Sequence, residues 1–246
     1  MIDTFGLVGY PLGHSFSQVF FTKKFKQEKI SAQYLNFEID NINKLLPILS
    51  DSSIKGFNVT IPYKETVIPY LDSISKEAQL IGAVNVVKVS QENGKATLKG
   101  YNSDIYGFTE SIRPLLESHH KKALILGTGG ASKAIKFGLE KLGLQTLNVS
   151  RSLKQGAIFY SDINQEILTQ YTVIINCTPL GTYPNTEQYP DIPYEYINSS
   201  HLLYDLVYNP EVTTFLKKGV KQGATIKNGL EMLQLQAIKA WDIWQE

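Results

Sequence analysis

Short blocks of apolar residues alternate along this chain with longer stretches of mixed polarity. Thr4 to Tyr10 and Ile54 to Val59 are compact apolar runs with a proline close behind, which predicts buried strands. Gln33 to Ile39 mixes polar and apolar residues as a strand does. Ser17 to Lys29 predicts a helix with Val19, Phe20 and Phe25 apolar and lysines between them. Asn41 to Leu49 predicts a short helix with Leu45, Leu46 and Leu49 inward. Pro62 predicts a helix start with Lys64 in its first turn, because a missing N–H costs nothing there. Ser75 to Ile81 predicts a helix capped by Ser75. Ala83 to Val89 and Ala96 to Lys99 read as two arms of a hairpin across Asn93-Gly94.

The second half repeats the alternation. Ile105 to Leu116 predicts a helix that links two domains. Strands are expected at Lys122 to Leu126, Leu147 to Ser150, Val173 to Cys177 and Leu202 to Asp205. Helices are expected at Ala131 to Leu142, Val212 to Lys218 and Leu230 to Trp244, the last with Leu233, Ala237, Ala240 and Trp241 apolar. Val173 to Cys177 is nearly all apolar, as expected where both faces of a parallel sheet are covered. The pattern predicts an α/β protein.

Composition narrows the function classes. At 246 residues, 43% apolar and 19% charged, the chain is globular and long enough for one large or two modest domains. The net charge is +1, from 24 basic and 23 acidic residues, with no basic tract, so no nucleic-acid partner is expected. Cys177 is the single cysteine, which excludes an intrachain disulfide and predicts a buried thiol. Neither a membrane-spanning run nor a secretory leader is visible, so a soluble cytoplasmic protein with no membrane partner is expected. No clustered His/Cys set suggests a metal.

Strand, Gly127-Thr128-Gly129-Gly130 and helix together open a dinucleotide site. Gly127 permits the tight turn, Gly129 lets backbone approach a pyrophosphate, and the helix opening near Ala131 offers its N–H groups. The third position of the glycine pattern is Ser132. The next strand ends Ser150-Arg151-Ser152 with no acid to hold a ribose 2′-OH. Arg151 instead suits a 2′-phosphate, with Ser150, Ser152 and Lys154 beside it. NADP is therefore expected over NAD, against the plainer reading of an ordinary surface arginine. Thr178, at the end of the third strand, is expected along the cofactor or as a turn residue.

Elsewhere, polar groups end apolar runs. Asn58 and Thr60 alternate with Phe57 and Val59, so they should share a face. Asn85 lies in an apolar run, where a buried amide needs a partner. Ser15 and Ser17, after His14, suit a carboxylate or hydroxyl, and Ser17 serves equally well as a helix cap. Lys64 and Asp104 are the titratable candidates. An amine held by a carboxylate can move the proton of an alcohol as hydride leaves its carbon. A solvated surface pair is the competing reading.

In order and spacing these motifs resemble the shikimate/quinate dehydrogenase family. The resemblance runs through Ser15 and Ser17, Asn58 to Lys64, Gly82-Ala83-Val84-Asn85, Asn102-Ser103-Asp104 and the glycine turn. It continues through Ser150-Arg151-Ser152, Asp205-Leu206-Val207-Tyr208-Asn209-Pro210, Gly229-Leu230-Glu231-Met232-Leu233 and Gln236. It implies two α/β domains. Residues 1–103 with 223–246 would bind substrate, and 104–222 would form a Rossmann-type NADP domain with a parallel sheet. It implies reversible reduction of 3-dehydroshikimate to shikimate with NADPH, in aromatic amino-acid biosynthesis, by a monomer or homodimer. Lys64 and Asp104 would be catalytic. Ser15, Ser17, Thr60, Asn85, Tyr208 and Gln236 would contact the substrate, and Gly229 would lie near the nicotinamide. The chain departs from the family with Ser103 and Ser152 where threonine is usual, and with a short 151–173 segment. The competing readings are an NAD-using quinate enzyme and a non-enzymatic binder on the same fold.

Overall fold

The structure is a computed structural model that describes residues 2–13, 15–92 and 95–246. The hairpin turn expected at Asn93-Gly94, and His14, lie outside the described residues. The chain divides into two compact units, Met1–Ser103 with Ala237–Glu246, and Asp104–Gln236. The resemblance put 223–246 with the first unit. Packing places only the last turns of the final helix there and keeps 223–236 with the second unit.

In the first unit, β1 (Asp3–Gly9), α1 (Phe16–Glu28), β2 (Ala32–Glu38), α2 (Leu45–Ile48) and β3 (Ile54–Val59) come first. They are followed by β4 (Ser73–Ile74), α3 (Lys76–Ile81), β5 (Val86–Glu92) and β6 (Lys95–Tyr101). The sheet order is β2-β1-β3-β5-β6-β4. β1 runs parallel to β2 and β3, while β5 is antiparallel to β3 and β6. One face carries Phe5, Phe21, Phe25, Tyr34, Val86, Ala240 and Trp244; the other carries Val8, Phe57, Val59, Val67 and Val84. Gly56 is required by close packing: a Cβ there would lie 2.3 Å from Trp244 Nε1, whose N–H reaches the Val87 carbonyl at 3.0 Å.

Two local expectations fail. No helix starts at Pro62. The chain makes successive turns from Thr60, with Tyr63 N bonded to Thr60 O, and then a 3-10 turn at Ile68–Tyr70. Val67 N bonds to Tyr63 O at 3.0 Å, a single helical turn that is not continued before the 3-10 turn begins. Leu46 is exposed, while Leu45 is buried and Leu49 is partly buried against the same core, because α2 turns its Leu45, Ile48 and Leu49 side inward.

In the second unit, α4 (Asp104–Ile112), β7 (Lys122–Leu126), α5 (Gly130–Lys141), β8 (Gln145–Ser150), β9 (Ala157–Phe159) and α6 (Gln165–Gln170) come first. Then come β10 (Val173–Asn176), β11 (Leu202–Asp205), α7 (Thr214–Lys221), β12 (Thr225–Lys227) and α8 (Leu230–Gln245). The sheet is parallel throughout, in the order β12-β11-β10-β7-β8-β9. That is the doubly wound order of a dinucleotide-binding half, with its reversal between β7 and β10. Phe108, Ile112, Ile135 and Leu139 cover one face, and Leu168, Phe215 and Leu216 cover the other.

The short segment after β8 has a clear consequence. Residues 151–156 join two parallel strands without a helix, where a crossover of a dozen or more residues is usual. On the α5 side of β8 stand Thr146 and Asn148, in register with Ala123 and Ile125 of β7. The polar pair suits a sheet face that no crossover helix covers, and Thr146 donates to Glu140 Oε1 at 2.9 Å.

Candidate active site

The cofactor-like end of the second unit forms where the sheet order reverses. Gly127 ends β7 with φ of 105°, a backbone region that L side chains rarely adopt. Gly129 is the N-cap of α5. No atom of the described residues lies within 4 Å of where a Cβ would sit on Gly129 or Gly130. Ser132 is buried, and its hydroxyl donates to Gly129 O at 2.6 Å, so the serine in the third glycine position is satisfied within the turn. Ala131 follows in the first turn of α5.

A cavity of about 380 Å³ opens here, lined by Gly127 to Gly129, Ser150 to Ser152, Lys154, Tyr160 and Cys177 to Pro179. Its lining holds two cations and no carboxylate. Ser150 is buried and accepts from Ser152 N at 3.2 Å, which shapes the turn that carries the exposed Arg151. Cys177 is only half-buried because it borders this cavity, and burial still raises its thiol pKa. A second cavity of about 290 Å³ shares Arg151, Tyr160, Thr178 and Pro179 and continues to Leu180, Tyr189 and Asp191. Burial pushes the Tyr160 phenol up to about 12, with the Arg151 charge pulling the other way. Tyr160 carried no sequence signal, since it lies outside every glycine or strand-end motif.

A buried network supports this end. Thr178 donates from N at 3.0 Å and from its hydroxyl at 2.6 Å to Asn176 Oδ1, and Asn176 Nδ2 donates to Asp205 Oδ1 at 2.9 Å. Val207 N and the Thr213 hydroxyl also donate to Asp205, at 3.0 and 2.5 Å. Burial dominates the Asp205 carboxyl and lifts it to about 6 despite these three donors. The same carboxylate therefore anchors the turn that carries Thr178 and the loop that carries Tyr208. Gly229 meets that loop: its N bonds to Val207 O at 3.3 Å, and a Cβ would lie 2.2 Å from Leu206 O. Gln236, on α8, is buried beside Gly107 of α4. Tyr208 is partly exposed.

In the first unit Asn58 and Asn85 are buried and bonded to each other. Asn58, on β3, accepts from the Tyr34 phenol at 2.8 Å and donates to the Asn85 carbonyl at 3.3 Å. Asn85 Oδ1 accepts from Ser103 N at 2.7 Å, so the partner its amide needed is the turn before Asp104. Thr60 follows β3, with its N bonded to Val8 O at 2.9 Å. A Cβ on Gly9 would press within 2.4 Å of the Thr60 methyl. Ser15, not Ser17, caps α1: its Oγ accepts from Gln18 N at 3.2 Å. Ser17 lies inside the first turn and is buried, because the helix begins one residue earlier than its apolar pattern suggested.

Lys64 is half-buried in the turn after Thr60. Its carbonyl accepts from Val84 N at 2.7 Å. On the other side of the same short segment, Asn102 Nδ2 donates to Ala83 O at 3.1 Å and Ser103 N reaches Asn85. Residues 83–85 thus hold the Lys64 backbone and the turn that leads into Asp104. Asp104 is the buried first residue of α4.

Among the described residues, no cluster of three or more His, Cys, Asp or Glu could hold a metal, and no helix is long and apolar enough to cross a membrane.

Residues 7–87 match the family model of the shikimate dehydrogenase substrate binding domain. The chain is 38% identical to the NADP(+) shikimate dehydrogenase of Caldanaerobacter subterraneus subsp. tengcongensis, over 98% of this chain and 90% of that one. It superposes on the crystal structure of shikimate dehydrogenase from Aquifex aeolicus with a TM-score of 0.86 and 35% identity, over 99% and 92% of the two chains. The Thermus thermophilus enzyme, solved in complex with NADP(H) and shikimate, gives a TM-score of 0.85 at 28% identity, over 99% and 93%. With two α/β units, a doubly wound parallel sheet in one of them, and identity along nearly its whole length, the chain belongs to the shikimate dehydrogenase family of oxidoreductases.

Proposed function

We propose that the chain is an NADP-dependent shikimate dehydrogenase that reversibly reduces 3-dehydroshikimate to shikimate in aromatic amino-acid biosynthesis. The observation that carries this reading is the segment 83–85. It holds the backbone of Lys64 on one side and the Asn102–Ser103 turn, one residue before Asp104, on the other. Lys64 gives a proton to the alkoxide that develops from the substrate carbonyl, and takes it back in the reverse direction. Asp104 orients that amine. Ser15 and Ser17 bind the substrate carboxylate, while Asn58, Thr60, Asn85, Tyr208 and Gln236 bind its hydroxyls.

NADPH supplies the hydride. Its pyrophosphate fits the open face of Gly129, Gly130 and Ala131 at the start of α5, where backbone N–H groups and the helix dipole favour an anion. The lining of two cations without a carboxylate favours a ribose 2′-phosphate, held by Arg151 with Ser150 and Ser152 beside it. Thr178 packs along the cofactor, and Gly229 lies near its nicotinamide. We also assign the protein to the cytoplasm, as a monomer or homodimer.

The deciding assay follows NADPH formation with shikimate and with quinate, each with NADP and with NAD. Shikimate with NADP should give the highest kcat/KM. Absence of shikimate turnover with either cofactor refutes the reading.

A further inference from the structure

Tyr34 lies in the middle of β2 and belongs to no motif, yet its phenol touches the substrate side of the first unit. The ring is buried and stacks on Phe21, with centroids 4.8 Å apart and planes at 12°. Its hydroxyl donates to Asn58 Oδ1 at 2.8 Å. The direction of that bond follows from the other end of the amide. Asn58 meets the main-chain oxygen of Asn85 at 3.3 Å, and a carbonyl can only accept. The Asn58 nitrogen must therefore face Asn85, which turns its oxygen to Tyr34 and makes the phenol the donor. Burial raises the phenol's pKa and keeps that hydrogen in place, with a hydrogen bond to Ser17 opposing the shift.

The geometry points to Tyr34 as a positioning residue of the substrate site, whose hydroxyl hydrogen joins the Asn85 carbonyl in pinning the Asn58 amide with its N–H side toward the substrate. One N–H of Asn58 holds Asn85, and the other is left for a substrate hydroxyl oxygen. Asn85 in turn holds Ser103 through its side-chain oxygen, so Tyr34, Asn58, Asn85 and Ser103 form one bonded series that ends at the residue before Asp104. Without the phenolic hydrogen the Asn58 oxygen loses its donor, and the amide is held only by its long bond to the Asn85 carbonyl at 3.3 Å, so its second N–H is aimed less firmly. The inference rests on the shikimate reading above.

Tyr34→Phe keeps the ring and its stacking and removes one oxygen. The variant is compared with wild type for kcat, KM of shikimate, KM of NADP and thermal midpoint. We expect the shikimate KM to rise about tenfold, with kcat and the NADP KM within about twofold of wild type. A second variant, Asn58→Asp, keeps the acceptor that Tyr34 addresses and removes the N–H side. It should also raise the shikimate KM, and the double variant should be little worse than Asn58→Asp alone. A shikimate KM near wild type in Tyr34→Phe overturns the proposal. So does an equal rise in both KM values with a lowered midpoint, which marks a purely structural role, and so do fully additive losses in the double variant. If Tyr34→Phe fails to fold, an unchanged shikimate KM in Asn58→Asp overturns it. Failure of the wild type to oxidise shikimate is a separate result, which removes the underlying reading before any variant is compared.

Discussion

In the first unit, Asn58 and Asn85 are buried, and their amides are held by Tyr34, Ser103 and a main-chain group. In the second unit, no atom of the described residues lies within 4 Å of where a Cβ would sit on Gly129 or Gly130, and Arg151, Ser152 and Lys154 are exposed. One end is shaped by side chains that hold one another in a sheet interior. The other is shaped by backbone conformation, with cations standing loose at its rim. A change in the first unit should therefore spread along a network and alter substrate geometry. A change in the second should stay local and alter cofactor affinity. Buried networks are costly to leave half-satisfied, whereas an exposed guanidinium loses little until a phosphate arrives.

The largest effect that sharpens this contrast is expected at Lys64. Lys64→Ala should lower kcat about a thousandfold, as loss of a general acid does, while NADP affinity measured by fluorescence titration stays within about twofold. Full activity in that variant removes Lys64 from the chemistry. Next comes Arg151→Ala, which should reduce kcat/KM with NADP about thirtyfold and leave NAD nearly unaffected, since only the phosphorylated cofactor offers a partner to the fork. Equal losses with both cofactors show that the arginine does not read the phosphate.

Two glycines break the comparison in opposite senses. Gly56→Ala drives a Cβ into Trp244 and should cost about 2 kcal/mol of stability in thermal melting. Gly129→Ala meets no protein atom of the described residues and has φ of −78°, so its melting midpoint should match wild type while NADP binding weakens about tenfold. A lowered midpoint in Gly129→Ala shows that the turn serves folding.

The smallest effect concerns Asp205. Its carboxyl is raised to about 6 from an ordinary value of 3.8, so the folded state holds the proton more tightly than the unfolded state. Stability from this group is present at low pH and falls as pH rises through about 6. Asp205→Asn should therefore gain about 1 kcal/mol at pH 8, after loss of charge-assisted hydrogen bonds is counted, and little or nothing at pH 4. A constant difference between the two pH values, measured by denaturant titration, rules out ionisation as its cause.

Strand cores were readable to within a residue or two, because β3, β7 and β11 are dense apolar blocks whose burial needs no partner to be specified. The glycine turn and its helix were equally legible, since a left-handed residue between strand and helix has few substitutes. Less was legible where the backbone choice depends on neighbours. The segment after Pro62 became a chain of turns, and α1 began at Phe16 with Ser15 as its cap. β9, α6 and β12 were not foreseen, because three to six residues of mixed polarity carry no period of their own. Tyr160 and Tyr34 escaped for the same reason: each is one aromatic residue in a sequence that contains 14 tyrosines.

Local pattern and spacing were enough for the class of fold, the glycine turn before α5 and the place of Arg151 after β8. These depend on backbone sterics and on the type of residue at a strand end, which neighbouring residues in sequence set. Which polar groups hold which was decided only by tertiary packing. Asn58 finds Tyr34 across the intervening β1 and Asn85 beside it, Asn85 finds Ser103, and Asp205 gathers Val207, Thr213 and Asn176, its register partner on β10, because packing brings together segments far apart in sequence. A hydrogen bond needs its donor within about 3 Å and in line, a condition that sequence distance does not encode.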